Sequence, residues 1–253
     1  MEYIKGLVSI ITPAYNAEKF IAQSIDSVIA QTYTDWEMII VNDCSKDNTI
    51  NIVNQYDDKR IKLINLNENK GAANAWNVAF QKVKGEYIAF LDSDDVWLET
   101  KLEEQIKFMR DNHYVFTFTS YDWIDENSKS LNKVIKISKM KDFSRTMKNT
   151  NIGLLTVMLD RKEIGDISVK PIKLNWDYYL WGIILRRGYK AYGYNKVLAH
   201  YRIVSNSASR NKYKHAKAVW RLYYHELKIP LFKSMYYFLC YLLNSVKRYY
   251  TNL

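Results

Sequence analysis

Two aspartates one residue apart, Asp92 and Asp94, follow directly after the apolar run at residues 87–91. At the end of a strand, where a turn breaks the alternation of side chains, two such carboxylates can face one point. Carboxylate oxygens are ligands that Mg²⁺ and Mn²⁺ prefer, and a cation held there can bridge to a diphosphate. The sequence therefore predicts a divalent-metal and diphosphate site at this turn. The alternative is a helix N-cap that starts a helix over residues 96–110.

A third aspartate, Asp43, stands beside Asn42 after the apolar run at residues 36–41. A carboxylate at a strand end can accept the imide N–H of a uracil, which is a hydrogen bond that distinguishes one base from another. The alternative is an Asx turn, in which the side chain bonds nearby backbone after the strand. Asp47, four residues further on, is predicted to cap the next helix.

Asp177 lies at the start of a predicted apolar helix rich in tryptophan and tyrosine. An aspartate in that place most often caps the helix. The alternative is chemical, because transfer of a group to a hydroxyl needs one base to take the proton of that hydroxyl. The aromatic surroundings are expected to raise the pKa of Asp177 by desolvating its charged form.

His200 and Arg202, in the segment His200-Tyr201-Arg202, complete the set of candidate site residues. A histidine beside a cation can serve as a metal ligand, and an arginine can neutralise a leaving diphosphate. Both residue types are also common as plain surface residues near strand ends.

The elements that must position these residues alternate between strands and helices over the first hundred positions. Strands are predicted at residues 7–12, 36–41, 61–66 and 87–91, and helices at 17–31, 49–56 and 72–83. This alternation predicts βαβ units around a mainly parallel sheet, which is an α/β fold. Ligands of such open sheets bind beyond the carboxyl ends of the strands. The polar clusters after three strands, including Pro13-Ala14-Tyr15-Asn16, are therefore expected to meet at one edge.

The pattern is looser after Thr100. Helices are predicted at residues 101–112 and 176–187, and strands at 114–123 and 151–160. The polar, lysine-rich stretch 128–149 between them is expected to be a mobile excursion.

Charge is distributed unevenly along the chain. The formal net charge is +10, and residues 186–253 hold fourteen lysines and arginines against one acid, Glu226. Such a basic tail suits nucleic acid, anionic lipid or diphosphate ligands, and charge alone does not distinguish among them.

The two distant cysteines, Cys44 and Cys240, fit neither a disulfide framework nor a zinc site, which predicts reduced thiols in an intracellular protein. The N-terminal residues predict a strand and not a signal peptide.

Five segments together resemble family 2 glycosyltransferases with the GT-A fold. They are VSIITPAYN, DWEMIIVNDCSKDNT, GEYIAFLDSDDVW, WDYYLW and HYR, in the family's order and at its spacing. The likeness runs from about Val8 to Arg210. The stretch from Trp176 through the tail is also similar to bacterial enzymes of capsule, O-antigen or teichuronic-acid assembly.

The resemblance implies a role for most of the candidate residues in transfer from a UDP-sugar to an acceptor hydroxyl. Pro13 and Tyr15 would line the nucleobase pocket, and Asp43 would bind the uracil. Asp92 would contact the ribose or the donor sugar, and Asp94 would ligate Mn²⁺ or Mg²⁺. Asp177 would be the base, and His200 a further metal or diphosphate contact. Inversion at the anomeric carbon follows from this scheme, because the deprotonated hydroxyl attacks opposite the leaving nucleotide.

Two positions depart from the family's pattern. Trp76 stands where the family commonly has an arginine near the nucleotide, and Lys70 is a candidate to supply the missing charge. Trp176 stands where a glutamate often precedes the base.

The implied organisation is a catalytic domain over residues 1–210 and a basic, aromatic helical tail over 211–253. The nucleotide-binding half would end near residue 100, and the acceptor-binding half would follow it.

Residues 231–246 of the tail are apolar for about sixteen positions, whereas a spanning helix needs about twenty. Aromatic residues mixed with lysine and arginine suit an interfacial helix. We therefore expect a cytoplasmic enzyme, peripheral at the inner face of the cell membrane, where a polyprenyl-diphosphate-linked glycan acceptor would lie. The alternative is a core-packing helix or a homodimer.

Two other classes of protein would explain part of these features. A nucleotidyltransferase also joins an α/β fold, a metal and a nucleotide, but a Gly-rich basic loop would be expected where Pro13-Ala14-Tyr15-Asn16 stands. A nucleic-acid-binding module would explain the basic tail through phosphate contacts. It would leave the acidic strand ends unexplained, so no nucleic acid partner is expected.

Overall fold

The computed structural model describes residues 3–149, 151–170, 172, 174–204 and 212–250. Within these ranges the chain forms one ten-stranded sheet with helices on both faces. The strands are β1 (Ile4–Ala14), β2 (Trp36–Asn42), β3 (Ile61–Asn65), β4 (Gly85–Phe90), β5 (Val96–Trp97), β6 (Phe116–Ile124), β7 (Ser130–Ile135), β8 (Met140–Lys141), β9 (Met158–Asp160) and β10 (Ala191–Arg202). The helices are α1 (Ile21–Ile29), α2 (Thr49–Val53), α3 (Ala72–Phe80), α4 (Lys101–Asn112), α5 (Phe143–Lys148), α6 (Arg161–Ile164), α7 (Trp176–Arg186), α8 (Lys212–Arg221) and α9 (Leu231–Tyr250).

The strand order brings the ends of β1, β2 and β4 to one edge of the sheet. The order is β3-β2-β1-β4-β9-β6-β10-β5, with β7 beside β6 and β8 beside β10. The first four strands are mutually parallel, and β10 is parallel to β6. Strands β5, β7, β8 and β9 pair antiparallel with their neighbours. The predicted α/β fold is confirmed, with its parallel part in the first hundred residues.

Burial on both faces explains why the early strands are continuous apolar runs. Val8 and Ile10 of β1 pack in the cluster that includes residues of α1 and α4, whereas Ile11 packs with residues of α3 and α7 on the other face. A strand covered on both sides has no exposed face that needs polar residues. All seven residues of β2 are buried for the same reason.

Several helices differ from their predicted bounds, since α2 ends at Val53 and α3 at Phe80. Helix α1 begins at Ile21 and not at Ala17. In the turn before it, the backbone N–H of Ala17 donates to Thr49 Oγ1 at 2.8 Å and that of Glu18 to Asp47 Oδ2 at 3.0 Å. The helix predicted as an alternative at residues 96–110 is wrong in its first five residues. Those residues begin with β5, which pairs with β10, and α4 starts only at Lys101. The acidic turn before β5 is therefore not a helix N-cap.

The stretch 128–149 is more ordered than its composition predicted. It contains β7, which pairs antiparallel with β6, then β8 and α5. Met147 of α5 is fully buried under the C-terminal helices. The prediction of a mobile excursion is wrong here, because a few apolar positions anchor an otherwise polar segment. The strand predicted at 151–160 is reduced to β9, preceded by a 3-10 turn at Leu154–Thr156.

The C-terminal helices pack against the body of the protein. A π-helical turn at Leu222–Glu226 follows α8, and Tyr223 and Tyr237 join a third apolar cluster with Met147 of α5. None of the helices in the described ranges combines the length and apolarity needed to cross a membrane. The predicted domain boundary near residue 210 lies outside the described residues, so the domain division stays a prediction.

Candidate active site

A cavity of about 610 Å³ lies where the acidic turn after β4 faces the start of α7. Asp92 and Asp177 both line it. The rest of the wall mixes aliphatic and aromatic side chains with two basic ones, Arg202 and His215. The aromatic residues are Tyr121, Trp123, Trp176, Tyr178 and Tyr201. A concave site with aromatic walls and a few convergent charged groups is typical of a small-molecule binding site.

The two carboxylates of the cavity are both shifted towards their neutral forms. Burial, together with the negative charges of Asp94 and Asp177, raises the pKa of Asp92 to about 8. Burial raises the pKa of Asp177 to about 6, although hydrogen bonds from backbone N–H groups at Tyr178 and at Asp177 itself act in the opposite direction. These amide contacts are those of a residue in the first turn of a helix, while the N-cap position belongs to Asn175. Asp177 therefore makes the contacts of a residue that caps a helix. Its raised pKa also suits a base that acts near neutral pH.

Asp94 and Asp95 complete an acidic cluster, with the guanidinium of Arg202 beside it. Burial raises the pKa of Asp94, while the charge of Arg202 lowers it. Burial, with the charges of Asp94 and Asp92, raises the pKa of Asp95 well above its ordinary value. Like charges crowded at one buried turn oppose ionisation unless a cation joins them.

This acidic cluster fits a divalent cation that takes most of its ligands from elsewhere. Among the described residues, no group of three or more His, Cys, Asp or Glu side chains is arranged as a complete metal site. Mg²⁺ commonly uses one or two carboxylates and completes its shell with waters and substrate phosphates. The carboxylates of Asp92 and Asp94, half-buried and mutually repelling, suit that arrangement.

His200 lies outside this cluster. Its Nδ1 hydrogen-bonds Asp122 on the neighbouring strand β6, and it is not among the described residues that line the cavity. The geometry therefore gives no support to His200 as a metal ligand. The pairing across β6 and β10 explains its place, since His200 and Asp122 are directly opposite in the register of the two strands.

Arg202 supports the acidic turn from inside the protein. Its side chain is only 2% exposed, and its Nε donates to the carbonyl of Asp94 at 2.7 Å. Its backbone N–H donates to Asp95 Oδ1 at 2.9 Å. Its other guanidinium nitrogens donate to Gln23 Oε1 at 2.6 Å and to the carbonyl of Asp125 at 3.0 Å. Arg202 also lines the cavity, and its contact with a leaving diphosphate stays a prediction.

Asp43 holds a loop at the neighbouring strand end. Its two carboxylate oxygens accept the backbone N–H groups of Lys70 at 3.0 Å and Gly71 at 2.8 Å. The Asx-type contact at this strand end belongs to Asn42, whose Oδ1 accepts the N–H of Ser45 at 3.2 Å. Ala72, the residue after Gly71, lines the cavity. Asp43 thus positions part of the cavity wall, and its contact with uracil stays a prediction.

The other predicted nucleotide contacts lie at the same edge of the sheet. Pro13 is partly buried near the end of β1, and Tyr15 is 52% exposed just beyond it. The side chain of Lys70 is exposed and pairs with Glu68 at 2.6 Å. The nucleotide-binding roles of Pro13, Tyr15 and Lys70 stay predictions.

Trp76 and Trp176, the two departures from the family's pattern, contact each other. Their ring centroids are 4.6 Å apart, and Trp76 also packs on Phe90 of β4 at 5.1 Å. Trp76 is fully buried, so it fills the core beneath the site and carries no charge to the nucleotide.

Two further residues of the cavity wall were not predicted. His215 comes from α8, and burial lowers its pKa, which keeps its imidazole neutral near pH 7. Tyr201 lies beside the acidic turn, and burial together with the charges of Asp95, Asp92 and Asp94 raises its pKa. No motif marked His215. Tyr201 sits in the His200-Tyr201-Arg202 segment, but strand alternation would place it on the face opposite to His200 and Arg202.

Comparison with known proteins gives a consistent result. The profile of Glycosyl transferase family 2 matches residues 9–161. TuaG of Bacillus subtilis, a glycosyltransferase named for teichuronic acid biosynthesis, is 43% identical over 246 residues, which cover 96% of this chain and 98% of TuaG. WfgD of Escherichia coli is 40% identical over 244 residues, with 96% and 95% of the two chains covered. It is described as UDP-Glc:alpha-D-GlcNAc-diphosphoundecaprenol beta-1,3-glucosyltransferase.

Solved structures share the fold at low sequence identity. Residues 1–349 of Staphylococcus aureus TarS, in complex with UDP-GlcNAc, align with a TM-score of 0.68 at 21% identity, over 88% of this chain and 64% of that one. A mannosyltransferase of Pyrobaculum calidifontis, in complex with GDP-Man and Mn²⁺, aligns with a TM-score of 0.67 at 18% identity, over 87% and 64% of the two chains. At these identities the likeness concerns the fold, and it confirms the GT-A architecture.

Proposed function

The chain belongs to glycosyl transferase family 2, and on that premise we propose that it transfers a sugar from a UDP-sugar to a hydroxyl of a polyprenyl-diphosphate-linked glycan, with inversion. The observation that carries this proposal is the pairing of Asp92 and Asp177 across one cavity. One carboxylate belongs to an acidic turn suited to a cation and a diphosphate. The other has a pKa near 6 and no need of a cation to act.

Asp177 is the proposed base. With a pKa of about 6 it is mostly ionised at neutral pH and can accept the proton of an acceptor hydroxyl. The hydroxyl oxygen then forms a bond to the anomeric carbon on the face opposite the nucleotide. The bond from that carbon to the diphosphate oxygen breaks, and its electron pair leaves with UDP. The sugar is delivered with inverted configuration.

Asp92 and Asp94 are the proposed holders of Mn²⁺ or Mg²⁺. When bound, such a cation would offset the negative charge that grows on the leaving diphosphate. Arg202 keeps the turn that carries both carboxylates in place. Pro13, Tyr15, Asp43 and Lys70 remain the proposed nucleotide contacts.

The aromatic half of the cavity is the proposed place of the acceptor glycan. Sugar rings present apolar faces and polar edges, which suits aromatic walls that carry a few hydrogen-bonding groups. Two such groups are on hand, because Asn151 Oδ1 and Asn175 Nδ2 have no hydrogen-bond partner within the described part of the chain. Buried polar groups without hydrogen-bond partners are rare in folded proteins. A polar ligand in the cavity would provide the partners that these two side chains lack.

UDP-glucose is the proposed donor and diphosphate-linked N-acetylglucosamine the proposed acceptor, because WfgD and WfaP of Escherichia coli are both described by that reaction. WfaP is 41% identical over 82% of each chain. The proposed lipid-linked acceptor is also what supports a place for the enzyme at the inner face of the membrane. A nucleotidyltransferase or a nucleic-acid-binding module has no comparable support.

The test is transfer of labelled glucose from UDP-glucose to a short-chain, water-soluble lipid analogue that carries diphosphate-linked N-acetylglucosamine. We expect a β-linked product from the α-linked donor in the presence of Mn²⁺, and loss of that product on chelation or in Asp94→Ala. An α-linked product would overturn inversion, and full activity of Asp94→Ala without metal would overturn the role of the acidic turn. If no UDP-sugar is consumed with any acceptor, the proposal fails.

A further inference from the structure

Helix α9 has two apolar faces, and among the described residues only one of these faces is covered. The inner face packs through Tyr237, which is 2% exposed, and Asn244 Nδ2 donates to the carbonyl of Lys148 on α5 at 3.0 Å. We define the outer face by the residues that are exposed at helical spacing: Phe232, Met235, Tyr236, Leu239, Leu242, Leu243 and Val246. Phe232 is 85% exposed and Leu243 62%. Because the inner face packs against the rest of the protein, the orientation of the outer face is fixed.

An exposed apolar face of this size marks an interaction site. The seven positions follow one another at intervals of three, one, three, three, one and three residues, which forms one continuous stripe along a helix. At 1.5 Å per residue the twenty residues of α9 extend for about 30 Å. A helix of this kind lies in the plane of a membrane surface.

The residues around the outer face are mainly basic, which favours a negatively charged partner. Lys148 Nζ lies 4.9 Å from the ring centroid of Tyr236, and two exposed lysines lie before α9 and in its first turn, Lys228 and Lys233. The single acid of residues 186–253, Glu226, is bound by Lys170 and Arg221. A surface with negative charge complements this set, whereas a second copy of the chain would bring two basic tails together.

We propose that the outer face of α9 docks the protein on an anionic phospholipid bilayer. This inference rests on the proposed function, because a lipid-linked acceptor would lie in the same bilayer. The fold connects the two sites: His215 of α8 lines the cavity, and α8 packs against α9. Docking through α9 therefore holds the cavity wall next to the lipid surface.

Vesicle flotation tests the proposal directly. The full chain should float with vesicles of phosphatidylcholine and phosphatidylglycerol, and at least tenfold less with phosphatidylcholine alone. The double variant Leu239→Glu, Leu243→Glu should lose at least tenfold in binding to the anionic vesicles. Both side chains are exposed, so its thermal melting should match that of the wild type. The matched control is Leu131→Glu, which places the same charge at a 44%-exposed leucine of β7 and should leave binding unchanged.

Three results would overturn the proposal: no flotation of the wild type, equal flotation of the double variant and the wild type, or a wild-type dimer in light scattering that the double variant converts to a monomer. The last result would assign the outer face to a second copy. Flotation needs no catalysis, so failure of membrane docking is distinguishable from failure of the proposed function. A protein that floats but transfers no sugar keeps the docking face, and one that transfers sugar to the soluble analogue but does not float loses it.

Discussion

The indole rings of Trp76 and Trp176 pack against each other, with centroids 4.6 Å apart. Trp76 belongs to α3 and is fully buried, whereas Trp176 is the first residue of α7 and lies next to Asp177. The contact therefore joins the start of α7 to the core between α3 and β4. Two large rings here replace the charged residues common in the family, so the position of Asp177 depends on packing.

Trp76→Leu should lower both stability and turnover. The shortened side chain leaves a cavity under Trp176, which should lower the free energy of unfolding by roughly 2–4 kcal/mol. Because Asp177 follows Trp176, kcat should fall more than the KM for UDP-sugar rises. Phe80→Leu is the matched control: Phe80 also contacts Trp76, at 6.0 Å, but not Trp176. The control should lower the unfolding free energy and leave kcat close to that of the wild type. An equal loss of kcat in both variants would contradict the link to Asp177.

Asp177→Asn should abolish most transfer and keep donor binding. An amide cannot accept the hydroxyl proton, so kcat should fall by roughly 10²–10⁴, while the Kd for UDP-sugar by calorimetry should stay unchanged. A raised pKa means that the folded state disfavours the carboxylate. Asparagine removes that penalty, so the variant should be at least as stable as the wild type at pH 8. Unchanged turnover would remove Asp177 as the base.

The pH profile of the wild type should report the same group. The base acts as a carboxylate, and its pKa in the folded protein is about 6. The ratio kcat/KM should therefore fall tenfold for each pH unit below about 6 and level off above it. This limb should be absent from the residual activity of Asp177→Asn. A limb centred near pH 4, the ordinary range of an aspartate, would show that burial does not tune this residue.

The sequence predicted the parallel half of the fold well, because strands buried on both faces are continuous apolar runs. It predicted the acidic turn and Asp177 for a similar reason, since strand ends and helix starts can be placed from local pattern. It did not predict that Arg202 points inward or that His200 bonds Asp122. Those outcomes depend on the pairing of β10 with β6, which joins segments about eighty residues apart. His215 was missed because only tertiary packing brings α8 to the cavity.

Arg202→Lys should weaken the acidic turn. Lysine cannot donate at once to Asp94, Asp125 and Gln23, because it lacks the planar fork of the guanidinium. Stability should fall by roughly 2–4 kcal/mol. The Mn²⁺ concentration for half-maximal transfer should rise as the carboxylates lose their position. Arg221→Lys, at an exposed arginine of α8, is the control. A lower stability with an unchanged Mn²⁺ requirement would limit Arg202 to a structural role.

Asp43→Asn separates the two roles that this residue can have. The carboxylate holds the N–H groups of Lys70 and Gly71, and the amide of asparagine can accept only one of them while facing the other with its own N–H. If Asp43 acts only through this loop, the KM values for UDP-sugar and for the corresponding CDP-sugar should rise together. If it also accepts the imide N–H of uracil, the preference for UDP over CDP should fall, because a cytosine offers an unprotonated N3 to the new donor.

We expect Asp43→Asn to lower the UDP-to-CDP ratio of kcat/KM by roughly tenfold or more, which corresponds to about 1.4 kcal/mol. The measurement is competition between the two donors in one reaction. A ratio unchanged while both KM values rise would contradict base recognition by Asp43 and leave it as the residue that shapes the cavity wall.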